Sequence, residues 1–280
     1  MMWSVLCGLA STVFAAQDGE VELRIVHTND THSCVMPVNP NSSDTALADK
    51  GGFVRRAALV RDLRAEDPDL LLFDSGDFSQ GSAYYNLYKG DVEVKLMNEM
   101  RYDAATIGNH EFDFGLDNMA RIFREATFPI VCANYHFEGT VLEGLVRSYV
   151  ILERKGVKVG VFGLGTQLEG MVASENYKGV TYEDPVTAAN RVADELKNKE
   201  HCDLVVCLSH LGWDIDGLDD TELVPATRHI DIVLGGHSHT YFEHPEVLKD
   251  ADGEDVYCNQ MGKHGRYVGM LLLEMSPTGD

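Results

Sequence analysis

The stretch Asp103–Gly115, DAATIGNHEFDFG, decides how this chain is read. A short apolar run, Ala104, Ala105, Thr106 and Ile107, stops at Gly108, and Asn109, His110, Glu111 and Asp113 then crowd into five positions. Side chains that polar are costly to bury unless something pairs with them. An apolar run of this length bounded by Asp and Gly reads as a buried strand, so the polar cluster falls at a strand end. Solvent, a hydrogen-bond network or a metal ion are the candidates to pair with it.

The same unit recurs outward in both directions. ELRIVHTND, DLLLFDSGD, DLVVCLSHLG and IDIVLGGHSH are further short apolar runs that end in polar residues. Between them GGFVRRAALVRDLRAED, DVEVKLMNEM, GLDNMARIFREA and DPVTAANRVADELKNKE carry helical spacing, the last with an acidic start and Pro185 near its N-terminus. Strands alternating with helices argue for an α/β layered fold. VRSYVILERKGVKVGVFGLGT reads as a hairpin around Lys155 and Gly156, and DVYCNQMGKHGRYVGMLLLEM as two strands around Gly262 to Gly265, which together suggest a second sheet layer beside the helix-linked one. NPNSSDTALAD, Asn39 to Asp49, is the candidate for a mobile loop.

In α/β sheets the loops at the carboxyl ends of strands converge on one face. Here those ends carry Asp30 and His32, Asp77, Asn109 and His110, His210, and His237 with His239. The Asp30/His32 and His237/His239 pairs are each two apart, so each projects from one face of an extended segment. Asp, Asn and His make an oxygen and nitrogen donor set suited to zinc, manganese, iron or cobalt more than to calcium. With Asp77 as a shared carboxylate, the set suffices for two ions with open positions. A single Asp at a strand end is more often a cap and a single His more often a satisfied core or surface group; five coincident strand ends are hard to explain that way.

Several features are read as structural. His27 sits on a strand, His136, His201, His229 and His244 lack a ligand-like context, and His264, in a tight GKHG turn within reach of the site, is read as a surface group. Leu96, Met97 and Met100 form a core stripe, Tyr84, Tyr85 and Tyr88 are read as packing, Cys34 as a thiol without a soft-metal partner, and GLGT at Gly163 to Thr166 as a turn rather than a phosphate loop.

Composition bounds the rest. The length of 280 residues fits one large domain, spanning residues 20–280 after a 16-residue apolar leader, MMWSVLCGLASTVFAA, that reads as a secretory signal and predicts an exported, periplasmic or extracellular, protein. No other segment is apolar enough to span a bilayer. The leader takes Cys7 with it and leaves Cys34, Cys132, Cys202, Cys207 and Cys258, an odd, scattered set that argues against a disulfide framework and allows at most one or two bridges. The formal net charge of -22 disfavours a nucleic-acid polymer as partner and demands local positive charge for any phosphate substrate.

The motif order D-x-H, GD, GNHE, H, GHxH resembles the metallophosphatase (calcineurin-like phosphoesterase) superfamily. HTNDTH, DSGDFSQGS, MNEMRYDAATIGNHEFDFG and GGHSHT are most similar to its exported 5'-nucleotidase family. That resemblance implies a four-layer α/β/β/α sandwich with a dinuclear site: Asp30, His32 and His239 on one divalent ion, Asp77 bridging, and Asn109, His210 and His237 on the other. It also implies a catalytic His110 oriented by Asp113, and hydrolysis of phosphate esters, 5'-nucleotides above all. Cyclic-nucleotide diesters or nucleotide-sugar and dinucleotide pyrophosphates are the alternative substrates. Such nucleotidases usually continue into a C-terminal nucleotide-binding domain, whereas this chain stops at Asp280. The expectation is therefore a small phosphorylated substrate and, as an alternative, a separate partner chain carrying that domain. Glu111 has no role in this reading.

Overall fold

The computed structural model describes residues 21–43, 45 and 48–275, together with the backbone of the strand Ser4–Leu6. The rest of the apolar leader lies outside the described residues, as do positions 44, 46 and 47 of the loop expected at Asn39 to Asp49.

Two sheets carry the molecule. The first has seven strands in the order Ser4–Leu6, Gly269–Met275, Val21–Thr28, Leu71–Asp74, Ala104–Ala105, Ile130–Val131 and Val146–Arg147. From Val21–Thr28 onward its neighbours are parallel, while Gly269–Met275 runs antiparallel on the other side. The second has six, in the order Glu246–Lys249, Asp255–Asn259, Ile232–Leu234, Leu204–His210, Val157–Gly165 and Tyr149–Arg154, parallel except at its two edges.

The two-residue period of each strand builds the layers. Leu23, Ile25, Leu71 and Phe73 of the first sheet meet Leu204, Val206, Leu208, Ile232 and Leu234 of the second in one buried cluster between the sheets. The alternate residues Val26, Leu72 and Ala105 face a second cluster that includes Phe53, Val60, Met97, Met100, Met119 and Phe123 from the helices Phe53–Glu66, Asp91–Met100 and Gly115–Glu125. Val205, Cys207 and Val233 face a third with Ala188, Ala189 and Val192 of the helix Pro185–Asp194. The order is helix, sheet, sheet, helix. Both faces of the central strands are buried, which is why they read as unbroken apolar runs. The Asp184 carboxylate caps its helix by accepting from Thr187 N at 2.8 Å, with Pro185 in the first turn.

Three sequence expectations need correction. The tail strands Asp255–Asn259 and Gly269–Met275 do not both build the second sheet; the first joins it and the other returns to the first, because Leu271 and Leu273 fit the inter-sheet core there. The second sheet is itself helix-linked, since Pro185–Asp194 connects the parallel strands Val157–Gly165 and Leu204–His210. GLGT is not a turn: Gly163 and Gly165 end a strand, and a Cβ on Gly163 would sit 2.2 Å from both Thr106 Oγ1 and the Val131 carbonyl. Glycine there permits close contact between the sheets. No disulfide forms among the described residues, and Cys34, Cys132, Cys202, Cys207 and Cys258 are free thiols.

Candidate metal centre

The parallel strands of both sheets deliver their carboxyl ends to one edge. Val21–Thr28 leads to Asp30 and His32, Leu71–Asp74 to Asp77, Ala104–Ala105 to Asn109 and His110, and Ile232–Leu234 to His237 and His239, while His210 is the last residue of its strand. Asp30, His32, Asp77, His237 and His239 all adopt the left-handed backbone, with φ of 47°, 43°, 54°, 71° and 59°, so the Asp30/His32 and His237/His239 pairs converge through tight turns and not from the extended segments their two-residue spacing suggested. Each such residue costs roughly 1–3 kcal/mol and concentrates at functional sites, where the surroundings over-determine it. Two glycines let the loops close up: a Cβ on Gly108 would lie 2.1 Å from Asp77 Oδ1, and one on Gly236 would lie 2.9 Å from His210 Nδ1 and 3.1 Å from Asp30 Oδ2.

The donor atoms gather in three overlapping groups, Asp30/His32/His239, His32/Asp77/His110 and Asp77/His210/His237, each with its ligand atoms within 4.8 Å of one another. In the first, His32 Nε2 and His239 Nε2 are 3.0 Å apart, with Asp30 Oδ1 3.8 and 3.4 Å from them. In the last, His210 Nε2 is 3.2 Å from Asp77 Oδ2, and His237 Nδ1 is 3.0 Å from Asn109 Oδ1. Asp77 thus belongs to the middle and last groups and His32 to the first and middle.

These contacts fit cations between them. His210 Nδ1 lies 2.7 Å from the Ser75 carbonyl, which places its proton there and turns the Nε2 lone pair toward the Asp77 carboxylate. His210 Nε2 is buried without a hydrogen-bond partner. A lone pair facing a carboxylate, like two imidazole nitrogens at 3.0 Å, is stable only with a cation or proton between. Without a metal the inner pair takes the proton: burial alone would lower the His210 pKa, yet Asp77 raises it to about 10. Burial alone would raise Asp77, and His210 instead holds it well below the ordinary carboxylate range. Burial, then His210, lowers His237 to about 4, leaving it a neutral donor.

His110 stands apart from the ligand pairs. Its Nδ1 is 3.0 Å from Asp113 Oδ2, and its backbone N–H donates to Asp77 Oδ1 at 2.9 Å. The Asp113 hydrogen bond raises the imidazole's pKa against partial burial.

Sequence reasoning left three further residues out. Glu111 is fully buried and accepts the backbone N–H groups of Asp77, Ser79 and Gly108 at 2.9, 3.0 and 2.7 Å, binding the DSGD loop to the GNHE loop. Asn29 donates to Asp30 Oδ2 at 2.6 Å and to the Gly262 carbonyl at 2.8 Å while accepting from Met261 N at 2.8 Å. Through it the crossing segment between the sheets is drawn over the site. His264 rides on that segment and is not a plain surface group: its backbone N–H donates to the Asp30 carbonyl at 2.7 Å, and its ring centroid is 5.9 Å from that of His32. The sequence signal for it was its GKHG turn within reach of the site, read there as a surface position.

The other structural readings hold. His27 is buried in its strand, Met97 and Met100 are core, and Tyr85 packs against Phe114. Tyr84 and Tyr88 differ: Tyr84 lines a cavity beside His32, and Tyr88 is exposed. The Cys34 thiol donates to the Met36 carbonyl at 3.2 Å and joins no ligand group.

The family model for calcineurin-like phosphoesterases matches residues 23–241. Human 5'-nucleotidase is 32% identical over 296 residues, an alignment that takes in 99% of this chain and 50% of the human one. The 5'-nucleotidase precursor of Thermus thermophilus superposes with a TM-score of 0.81 at 33% identity, covering 90% of this chain and 51% of its own. NAD nucleotidase of Haemophilus influenzae gives a TM-score of 0.80 at 26% identity, covering 93% and 48%. The chain spans about half the length of the curated relatives it matches. No helix among the described residues is long and apolar enough to cross a membrane. The family match runs through every strand end that carries a donor, and the chain belongs to the calcineurin-like phosphoesterases.

Proposed function

We propose that this chain hydrolyses phosphate esters, 5'-nucleotides foremost, at a dinuclear metal site. The carrying observation is the place of Asp77, within 4.8 Å donor distance of His210 and His237 on one side and of His32 and His110 on the other. Asp30, His32 and His239 would hold one divalent ion and Asn109, His210 and His237 the other, with the Asp77 carboxylate available to both. Zinc, manganese, iron or cobalt suits this donor set. When bound, two such ions activate water and neutralise phosphoryl oxygens.

The chain's own residues do the rest. The His110 imidazolium donates a hydrogen bond to the phosphoryl oxygens as charge builds on them. Asp113, 3.0 Å from Nδ1, orients that ring and keeps it charged. Glu111 holds the two loops in register, so that Asp77 and His110 keep their spacing. The site also supplies the local positive charge that an anionic substrate requires in a chain of net charge -22.

The test is phosphate release from a panel of esters by the purified, manganese- or zinc-loaded chain. Release from nucleoside 5'-monophosphates that a chelator abolishes is expected; no release from any ester, alone or with added partner proteins, contradicts the reading. Likeness to an NAD nucleotidase favours pyrophosphate cleavage as the second reading, and dinucleotides belong in the panel. A separate chain with further nucleoside contacts is a companion reading, tested by a partner-dependent rate. The apolar leader supports export, which sequencing the N-terminus of the cell-envelope or secreted form would check.

A further inference from the structure

His239 is the histidine of the ligand set with the least support from its own side chain. Its ring is 33% exposed and makes no hydrogen bond among the described residues outside the ligand group. His210 by contrast is set by the Ser75 carbonyl, and His237 by Asn109 Oδ1 and by its own N–H to Asp30. What holds His239 is the chain on either side of it. Thr240 N–H donates to Gln260 Oε1 at 2.6 Å, and the Ser238 hydroxyl donates to the same oxygen at 3.0 Å. A backbone N–H can only donate, so the side of the amide that faces it is the oxygen. Gln260 is 1% exposed and sits one residue past the strand Asp255–Asn259, whose parallel neighbour Ile232–Leu234 leads into this loop. The backbone closes the clasp: Phe242 N–H donates to the Gln260 carbonyl at 3.0 Å, and Gly262 N–H to the Thr240 carbonyl at 2.8 Å.

We propose that Gln260 is a positioning residue for the ion held by Asp30, His32 and His239, keeping His239 in its left-handed turn by accepting a hydrogen bond from the residue on each side of it. The assignment rests on the two-ion reading above and adds what keeps the less buried half of that site in shape. Gln260 hydrogen-bonds to no ligand itself. It acts through a backbone at φ 59°, a conformation that a histidine keeps only where its surroundings impose it. Its reach is one-sided, because the His237 N–H is held by Asp30 and the His210 ring by Ser75. A buried acceptor that serves two donors is rigid, and groups that orient a ligand from behind set the affinity for its ion. Gly235 makes room for the amide, since a Cβ there would lie 3.1 Å from Gln260 Nε2 and 2.9 Å from Asp220 Oδ2.

Metal binding tests this without reference to turnover. Manganese is titrated into the metal-free full chain and withdrawn by a chelator, with electron paramagnetic resonance separating coupled ion pairs from single ions. Gln260→Leu, of similar size but without the acceptor, should hold the outer ion at least ~10-fold more weakly and the inner ion within about twofold of the wild type. Ser238→Ala removes one of the two donors and should weaken the outer ion in the same direction by a smaller factor. It decides the matter if Gln260→Leu does not fold. Val256→Ala opens the core under the same strand, and should lower the urea midpoint of the metal-free chain with the ratio of the two affinities unchanged. Both ions weakened alike in Gln260→Leu, neither weakened, or a ratio shifted as far by Val256→Ala, would overturn the role of Gln260. A wild type that binds a single ion would refute the two-ion reading and this role together. A wild type that binds two, with their ratio unchanged in the Gln260 and Ser238 variants, would refute this role alone.

Discussion

The two ligand groups differ in how they are held. His210 and Asp77 are all but excluded from solvent, with side-chain exposures of 0% and 3%, and His210 is fixed by the Ser75 carbonyl. In the other group His239 is 33% exposed and lies beside the open cavity through its neighbour His32. A buried donor set with its tautomer fixed by the backbone is preorganised for an ion, whereas a ring at the surface must be ordered by it. On the proposed dinuclear reading, the inner group would seat the more tightly held ion and the group with the exposed His239 the more exchangeable one.

The largest effect comes from breaking what is shared. Asp77→Ala removes a donor from two of the groups and the acceptor of His110 N–H, so metal content should fall below one ion per chain and kcat/KM by at least ~10³-fold. Elemental analysis with steady-state kinetics checks both, and a variant that keeps two ions would separate Asp77 from the bridge. His110→Ala should leave metal content unchanged and lower kcat by about 10²–10⁴-fold, the usual span for a lost acid or base. An unchanged kcat would remove His110 from the chemistry.

Glu111→Gln sharpens the comparison from behind. It keeps the shape but replaces one carboxylate oxygen with an amide N–H₂, which then faces either the Ser79 N–H or the Asp77 and Gly108 N–H groups that the oxygen now accepts. The inner ion should bind roughly 10–100-fold more weakly, with the outer ion less affected. Chelator competition followed ion by ion reads the difference, and equal weakening of both would show a general loosening.

The smallest effect lies away from both groups. Burial lowers His27 from its ordinary 6.5 to about 3, so below 6.5 the unfolded chain takes up a proton that the folded one refuses. This contribution to stability is complete above pH 6.5 and is lost on acidification toward pH 3, at up to ~1.4 kcal/mol per pH unit. His27→Phe should flatten that acid limb in urea titrations of the metal-free chain; an identical limb would place the acid sensitivity elsewhere.

Much of this was legible in the sequence because two regularities coincide. Buried strands leave apolar runs, and parallel strands send their ends to one edge, so Asp30, Asp77, Asn109, His210 and His237 announced themselves together. Glu111 was as visible as they were, but its partners are backbone N–H groups, which leave no mark on a sequence. His264 was hidden because the chain reaches it by crossing from one sheet to the other, while the residues around Gly262 to Gly265 read as a local turn. Gly163 read as part of a turn, and the opposing Thr106 is the packing reason the sequence could not show.

The measurement that bears most directly on the shared-carboxylate site is ion stoichiometry during stepwise chelation of the wild-type chain and of His239→Ala. Two ions per chain, lost in separate steps from the wild type, with one tightly held ion surviving in His239→Ala, is the predicted result. A wild-type chain that never holds more than one ion, or a His239→Ala chain that holds two, would contradict it.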